Sequence, residues 1–382
     1  MGYIHVEIDG FQSSKKKDSV CGDCYSSFRT PEATYLLLAD GIGSGIKANV
    51  YANMAISRLK SLLAQDFSLR NAFAQLVKTM HQARGTELPY SVFTVAQILK
   101  NGETTILAYE MPEGIFVGRH SATCFKRRDF TLGHEVISET NLFLEPGEGI
   151  ILYSDGISLA GIGVSTRVGW ESKDVARFVN DCIYDGSRRR VLAKAVHDRA
   201  RQLWKDVGGD DCTAVSAFCR QGRVANLFTG PSIDKGNDAE NVRDFMSYEG
   251  FRIVCGATTA GIVARHIGKP LKINQADNSL IAPPGYSIDG IDLVTEGAVT
   301  LNQAYNVLDA DLLELEPDSS VTRLCEMLTD SDRVNFFIGK ASNQAHEDIS
   351  FRQRGIVPRQ KIVRLLAERL RQLGKLVHII EL

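Results

Sequence analysis

The chain has 382 residues, 44% hydrophobic and 24% charged, which is ordinary globular usage and disfavours disordered, collagenous and coiled-coil readings. Its 44 Lys+Arg against 46 Asp+Glu leave a formal net charge of -2, so no basic field exists to concentrate nucleic acid or anionic lipid. No run of about 18 apolar residues occurs, the polar first 20 residues lack a signal-peptide apolar region, and Gly2 is not followed by the Ser or Thr of a myristoylation pattern. A cytoplasmic protein with neither nucleic acid nor membrane as partner is expected. The eight cysteines, among them Cys182, Cys219, Cys255 and Cys325 in apolar contexts, are expected as reduced thiols.

In chain order, Tyr35-Leu36-Leu37-Leu38-Ala39 is a continuous apolar run of the kind that forms a fully buried strand. It ends abruptly at Asp40-Gly41-Ile42-Gly43-Ser44-Gly45. Ile46, Val50, Met54, Ala55, Leu59, Leu62 and Leu63 then recur at helical spacing, and Leu69, Ala72, Phe73, Leu76, Val77 and Met80 repeat the signal. From Ser91 the texture turns β-branched and aromatic over Ser91 to Leu99, Thr104 to Glu110, Ile115 to Val117 and Gly149 to Tyr153, with Gly- and Pro-bearing turns between them. Two further helices are predicted, around Val175 to Ile183 and Val191 to Trp204, before a last strand from Thr213 to Cys219. Strands with paired helices segregated from them indicate α+β layering rather than alternating βαβ units.

The polar stretch Arg220-Gln221-Gly222-Arg223 reads as a boundary, at a length that allows two or three units of roughly 150 residues. Two units are expected, residues 1–220 and 223–382. The second alternates: strand Arg252 to Cys255, helix Thr258 to Ile267, strand Ile291 to Val294, helices near Leu301 to Leu308 and Val321 to Leu328, strand Val334 to Ile338, helix Lys361 to Leu373 and strand Leu376 to Leu382. That is a smaller α/β domain. No internal repeat or low-complexity segment is present.

Three segments place an aspartate beside a glycine or a second aspartate at the end of an apolar strand: Ala39-Asp40-Gly41, Tyr153-Ser154-Asp155-Gly156 and Gly208-Gly209-Asp210-Asp211-Cys212-Thr213. Cys21-Gly22-Asp23 lies just upstream of the first. Any one Asp-Gly pair is more readily read as a turn. Repeated at strand ends, and without a His or Cys cluster at ligand spacing, carboxylates favour hard divalent cations such as Mg²⁺ or Mn²⁺. The pattern alone points to a two-metal hydrolase.

The order of these motifs, with Pro146-Gly147-Glu148-Gly149-Ile150-Ile151-Leu152-Tyr153-Ser154-Asp155-Gly156 in full, resembles the metal-dependent type 2C (PPM) protein phosphatases. The similarity is to the bacterial subgroup like the stage II sporulation protein E phosphatase, and it spans residues 1 to about 220. It implies an αββα sandwich, two antiparallel sheets flanked by helix pairs, carrying two divalent cations, Mn²⁺ or Mg²⁺, at one edge. It implies a phosphoprotein serine/threonine phosphatase of bacterial signalling, with a phosphoprotein substrate and hydrolysis by activated water without a covalent intermediate. By the same resemblance Asp40, Asp155 and Asp210 are catalytic. Asp40 bridges the metals, the Gly41 carbonyl serves one, Asp155 and Asp210 hold the other, and Asp23 acts directly or through water. Asp211 is a metal ligand, a hydrogen-bond acceptor behind the ligands, or a strand cap, and these three readings stay open. The chain departs from the pattern at Ile42, where animal members have a histidine resembling a general acid, and at Ala108-Tyr109-Glu110-Met111-Pro112-Glu113, which replaces an Asn-Ala-Gly-His-Pro-Pro-like segment. The alternative is a catalytically silent or switched-off phosphatase-like module that acts by binding a partner or ligand.

Other features are read as structural. Cys21-Gly22-Asp23-Cys24 lacks a second C-x-x-C or paired histidines. Lys15-Lys16-Lys17 and Arg188-Arg189-Arg190 are read as solvated faces, and His81 and His197 as satisfied helix residues. Cys255-Gly256-Ala257-Thr258-Thr259-Ala260-Gly261 is a tight strand-to-helix turn with Thr258 or Thr259 as N-cap, and Val294-Thr295-Glu296-Gly297-Ala298 offers no phosphate loop. The second domain is expected to regulate, by binding a small-molecule ligand or a protein partner.

Overall fold

The structure is a computed structural model and describes the chain except residues 1, 17–18, 87, 206–208, 275–284, 310–315, 318 and 342–354. Lys17 of the first basic triplet and Gly208 of the last aspartate motif therefore lie outside the described residues. The chain divides into two compact units, residues 3–221 and 222–382.

The first unit holds two antiparallel sheets. Strands β2 (Asp23–Arg29), β3 (Ala33–Gly41), β4 (Ser91–Leu99), β5 (Glu103–Tyr109), β9 (Glu135–Phe143) and β8 (Arg128–Leu132) make a six-stranded sheet in that order. Strands β1 (Ile4–Ser13), β11 (Cys212–Gln221), β10 (Gly149–Tyr153), β6 (Ile115–Val117) and β7 (Ala122–Cys124) make a five-stranded one. The unbroken apolar run of β3 follows from burial on both faces. Leu36 and Leu38 pack with Ile98, Ile150, Leu152 and Val215 between the sheets, while Leu37 and Ala39 meet helices α1 (Gly45–Ala64) and α2 (Leu69–Ala83) through Ala52, Leu59, Phe73 and Leu76. On the outer face of the five-stranded sheet, Ile151, Tyr153 and Ala214 pack against Val175 and Val179 of α4 (Ser172–Tyr184) and Val196 and Ala200 of α5 (Leu192–Leu203). The order of layers is helices, sheet, sheet, helices, an αββα sandwich.

Strands β1, β2, β8, β7 and β9 of the first unit are absent from the expected elements. The first three lie at sheet edges, where one side is solvated and the apolar signal is diluted by residues such as Glu7, Asp9, Ser26, Arg128 and Asp129. The helix after Asp40 forms as expected, but Ile46, Val50 and Met54 stand on its outer side, 71%, 47% and 52% exposed. The buried face is carried by Ala48, Ala52, Ala55, Ile56, Leu59, Leu62 and Leu63, because small residues let the helix approach β3 closely.

The second unit is doubly wound. Five parallel strands run in the order β16 (Leu293–Thr295), β13 (Phe251–Cys255), β12 (Val224–Thr229), β17 (Arg333–Ile338), β18 (Leu376–Glu381). Short strands β14 (Lys272–Asn274) and β15 (Gly285–Ser287) extend the β16 side with antiparallel pairing. One face packs on α8 (Ala298–Val307), α9 (Ser320–Asp330) and α10 (Arg359–Gln372) through Leu301, Leu324, Leu328, Ile362 and Leu366. The other packs on α6 (Asp238–Ser247) and α7 (Ala257–Ile267) through Val242, Phe245, Ala260 and Val263. The central strand β12 was not among the expected elements, since Asn226 interrupts its short apolar run. Buried Asn226 accepts from Asn335 Nδ2 on β17 at 2.8 Å and donates to the Glu249 and Phe251 carbonyls. β11 also runs one residue beyond the expected boundary at Arg220 and β12 starts at Val224, which leaves only a two-residue connection.

At α7 the expected threonine cap is not used: Gly256, at φ 115°, occupies the N-cap position without a side-chain bond. The buried Thr259 hydroxyl instead accepts from the Gly230 amide at 2.8 Å, tying the turn after β13 to the turn after β12.

A polar cluster closes one end of the six-stranded sheet. Glu135 is buried and receives His81 Nδ1 at 2.6 Å, the Tyr109 hydroxyl at 3.1 Å and Arg84 Nη2 at 3.1 Å. The His81 contact foremost, with Tyr109 and Arg84, holds its carboxyl below the ordinary 4.5 against the upward pull of burial. A depressed carboxylate contributes stability that is present above its unfolded pKa and lost as pH falls through the folded value. Glu135→Gln is therefore expected to flatten the acid limb of stability, measured by urea unfolding between about pH 3 and pH 6.

Candidate active site

β2 and β3 pair so that Asp23 stands opposite Asp40. β10 and β11 pair antiparallel, and the Ser154 amide donates to the Thr213 carbonyl at 3.0 Å just beyond the last register pair. That places the Ser154-Asp155 turn beside Asp210-Asp211. Three glycines allow these approaches. A Cβ on Gly41 would lie 1.9 Å from the Ala48 carbonyl oxygen, one on Gly156 2.0 Å from the Asp211 carbonyl oxygen, and one on Gly209 2.0 Å from the Trp204 ring.

Asp23 joins the two sheets. One of its oxygens, Oδ2, accepts from the hydroxyls of Ser154 and Thr213, both at 2.6 Å; the other, Oδ1, is buried without a partner. Burial, then the nearby Asp211 and Asp155 charges, push its carboxyl up against the pull of those two hydroxyls. Asp40 is raised by burial first and then by Asp23, Asp155 and Asp210, and its side chain hydrogen-bonds Asp155. Asp155 is raised by burial and by Asp210. Asp23, Asp40, Asp155 and Asp210 thus share one electrostatic environment. A nearby cation is Lys15, whose Nζ is 3.6 Å from Asp210 Oδ1. Two carboxylates in hydrogen-bond contact cannot both ionise at low cost, so the cluster holds a proton or a cation.

Asp211 is occupied differently. Its Oδ1 accepts from the Lys15 amide at 2.7 Å and its Oδ2 from the Gly22 amide at 2.9 Å, so this carboxylate fixes the backbone at Lys15 and at Gly22, next to Asp23. Of the three open readings, the hydrogen-bond acceptor is the one that these contacts describe. Ser154 and Thr213 had no assigned role in the sequence, although both lie inside the aspartate motifs, and Lys15 was read as part of a solvated face. The signal for the first two was present as hydroxyl residues next to Asp155 and two residues after Asp211.

Among the described residues, no group of three or more His, Cys, Asp or Glu side chains stands at ligand geometry. The donor set nevertheless fits hard divalent cations on its chemistry, with oxygen donors, excess negative charge and an orphaned buried oxygen on Asp23. His81 and His197 are engaged elsewhere. His81 bonds Glu135, and His197 Nε2 lies 2.9 Å from Ser13 Oγ. Cys21 and Cys24 are free thiols. Burial foremost raises both, Cys21 to about 12, which keeps them protonated and unreactive.

The family model described as stage II sporulation protein E (SpoIIE) matches residues 30–219. Residues 30–219 belong to the SpoIIE family. The sandwich of this SpoIIE-type domain is a type 2C phosphatase fold. Solved structures similar to the chain include the RsbU and RsbW domains of a Mycobacterium tuberculosis protein, at 14% identity over 64% of this chain and 69% of that one with a TM-score of 0.48. The PP2C phosphatase domain with a regulatory fragment of SpoIIE from Bacillus subtilis is 18% identical over 57% of this chain and 64% of that one, TM-score 0.49. The SpoIIE phosphatase domain alone, from Bacillus subtilis, is 17% identical over 58% and 95%, TM-score 0.45. No curated protein matches the chain.

The two departures from the family pattern have physical descriptions in the SpoIIE-type domain. Ile42 is 60% exposed beside Asp40 and brings no titratable group. Glu110 adopts φ 54° and is held there by Arg84 at 2.5 Å and the Tyr90 hydroxyl at 2.7 Å.

A raised carboxyl lowers stability as pH rises from its unfolded value toward its folded one, because the native state keeps a proton that the unfolded state releases. With chelator present, Asp40→Asn is expected to stabilise the fold at pH 8 by more than about 1 kcal/mol, with a smaller gain at pH 5. Thermal melts of both proteins at the two pH values test this.

Proposed function

We propose that residues 1–220 form a metal-dependent phosphoprotein phosphatase acting on phosphoserine or phosphothreonine in bacterial signalling. The observation that carries this reading is the convergence of Asp23, Asp40, Asp155 and Asp210 at one edge of a SpoIIE-family sandwich. In this proposal two cations, Mn²⁺ or Mg²⁺, would be held by Asp40, with the Gly41 carbonyl as a further donor to one and Asp155 and Asp210 to the other. Asp23 supports them directly or through water with its unpartnered oxygen. When bound, the cations would activate water and neutralise charge on the phosphate ester.

The chain's own residues do the rest. Ser154 and Thr213 fix the orientation of the Asp23 carboxylate, and Asp211 fixes the backbone that leads to it, so the donors are set before a substrate arrives. Lys15 borders the cluster with a positive charge. With an apolar side chain at Ile42, protonation of the leaving oxygen falls to water or to another residue. The second unit is proposed to regulate through a ligand or partner.

Hydrolysis of para-nitrophenyl phosphate and of a phosphoserine peptide is expected to require added Mn²⁺ or Mg²⁺ and to fall to background in Asp40→Asn and Asp155→Asn. Absence of turnover together with retained cation binding would replace this reading with a silent or switched-off module.

A further inference from the structure

The strand order of the second unit reverses beside β12: β13 and β16 are laid down on one side of it, β17 and β18 on the other. In doubly wound sheets the crevice outside the carboxyl ends of the two strands flanking such a point is where ligands bind. Here those ends are Thr229-Gly230-Pro231 and Ile338-Gly339-Lys340. They are packed closely, since a Cβ on Gly339 would lie 2.1 Å from the Pro231 carbonyl oxygen.

The guanidinium of Arg359 lies directly against this junction. A Cβ on Gly230 would be 2.2 Å from its Cζ. Nη2 donates to the carbonyls of Gly339 and Ala341 at 2.9 and 2.8 Å. Nε is fully buried and has no acceptor. Among the described residues, Arg359 has no ion pair and Nη1 makes no hydrogen bond. Of the five donors that a guanidinium carries, those on Nε and Nη1 are unassigned.

Desolvation without compensation is unusual for an arginine. Burial holds Arg359 below the usual arginine range, and among the described residues no charged neighbour opposes that shift. Arg359 also opens α10, and a cation at a helix N-terminus meets the positive end of the helix dipole. The adjacent Lys340 is already neutralised by Glu381 at 2.8 Å.

We propose that Arg359 anchors an oxyanion-binding site at the sheet's switch point, taking the phosphate or carboxylate of a small-molecule ligand on its free Nε and Nη1 donors. The site lies in the second unit and does not depend on phosphatase activity.

The test titrates the full chain with inorganic phosphate, AMP and succinate at constant ionic strength, with chloride as control, once in chelator and once with saturating Mg²⁺. Binding is read by calorimetry and by the arginine Nε resonances, that of Arg359 being identified by its loss in Arg359→Lys. At least one of the three probes is expected to bind in both metal conditions and to move the Arg359 signal, and Arg359→Gln is expected to weaken it by about tenfold or more. Tighter binding of AMP than of phosphate assigns a nucleotide, equal binding a free phosphate, and binding of succinate alone a carboxylate. Failure of all three probes to bind at about 20 mM, or unchanged binding by Arg359→Gln, overturns the proposal. If Arg359→Gln does not fold, an Arg359 resonance in the native protein that no probe moves overturns it equally.

Discussion

Negative charge gathered at the end of two sheets is the constraint around which the first unit is built. Burial first, and then neighbouring carboxylates that include Asp210, raise the carboxyls of Asp23, Asp40 and Asp155, with Lys15 alongside. Such a cluster is costly in the absence of a counter-charge, and a fold keeps it only if surrounding contacts over-determine the geometry. Those contacts are the Ser154 and Thr213 hydroxyls on Asp23, the backbone amides on Asp211, and glycines at 41, 156 and 209 that leave no room for a Cβ.

The sandwich explains why those groups meet. Asp23 and Asp40 come from paired strands of one sheet, Asp155 and Asp210 from the end of a strand and the start of its neighbour in the other. The core between the sheets, Leu36, Leu38, Ile150, Leu152 and Val215, fixes their separation with side chains that tolerate little change in volume. Precision at the site is therefore inherited from packing. The second unit applies the same economy to a different problem, with parallel strands ending in close-packed glycine turns and a guanidinium laid across them.

Much of this was legible in the residues. The buried strand at 35–39, the helices after it, the aspartate motifs and the α/β texture of the second unit were all read from periodicity and turn chemistry. The edge strands β1, β2 and β8 were not, because a half-solvated strand mixes charged residues into its pattern. Central β12 was missed for the opposite reason, since its buried Asn226 looks polar until Asn335 is placed beside it. Ile46, Val50 and Met54 satisfied the helical period and still face outward, because a 3.6-residue repeat identifies a helix without saying which of two apolar stripes the sheet receives.

What the amino-acid order determined by itself was local: where strands end, which carboxylates sit in glycine turns, and the absence of histidine or cysteine sets that would suit a softer metal. Only the tertiary structure decided which oxygens are spent and which remain. Asp210 and Asp211 are adjacent and chemically identical, yet both Asp211 oxygens are taken by the Lys15 and Gly22 amides, while a buried Asp23 oxygen is left without a partner. Likewise nothing in the sequence distinguishes Arg359 from its neighbours on the same helix until the strand order places it at the switch point. Hydrogen-bond satisfaction and desolvation depend on groups more than a hundred residues apart in the chain, and only folding sets the distances between them.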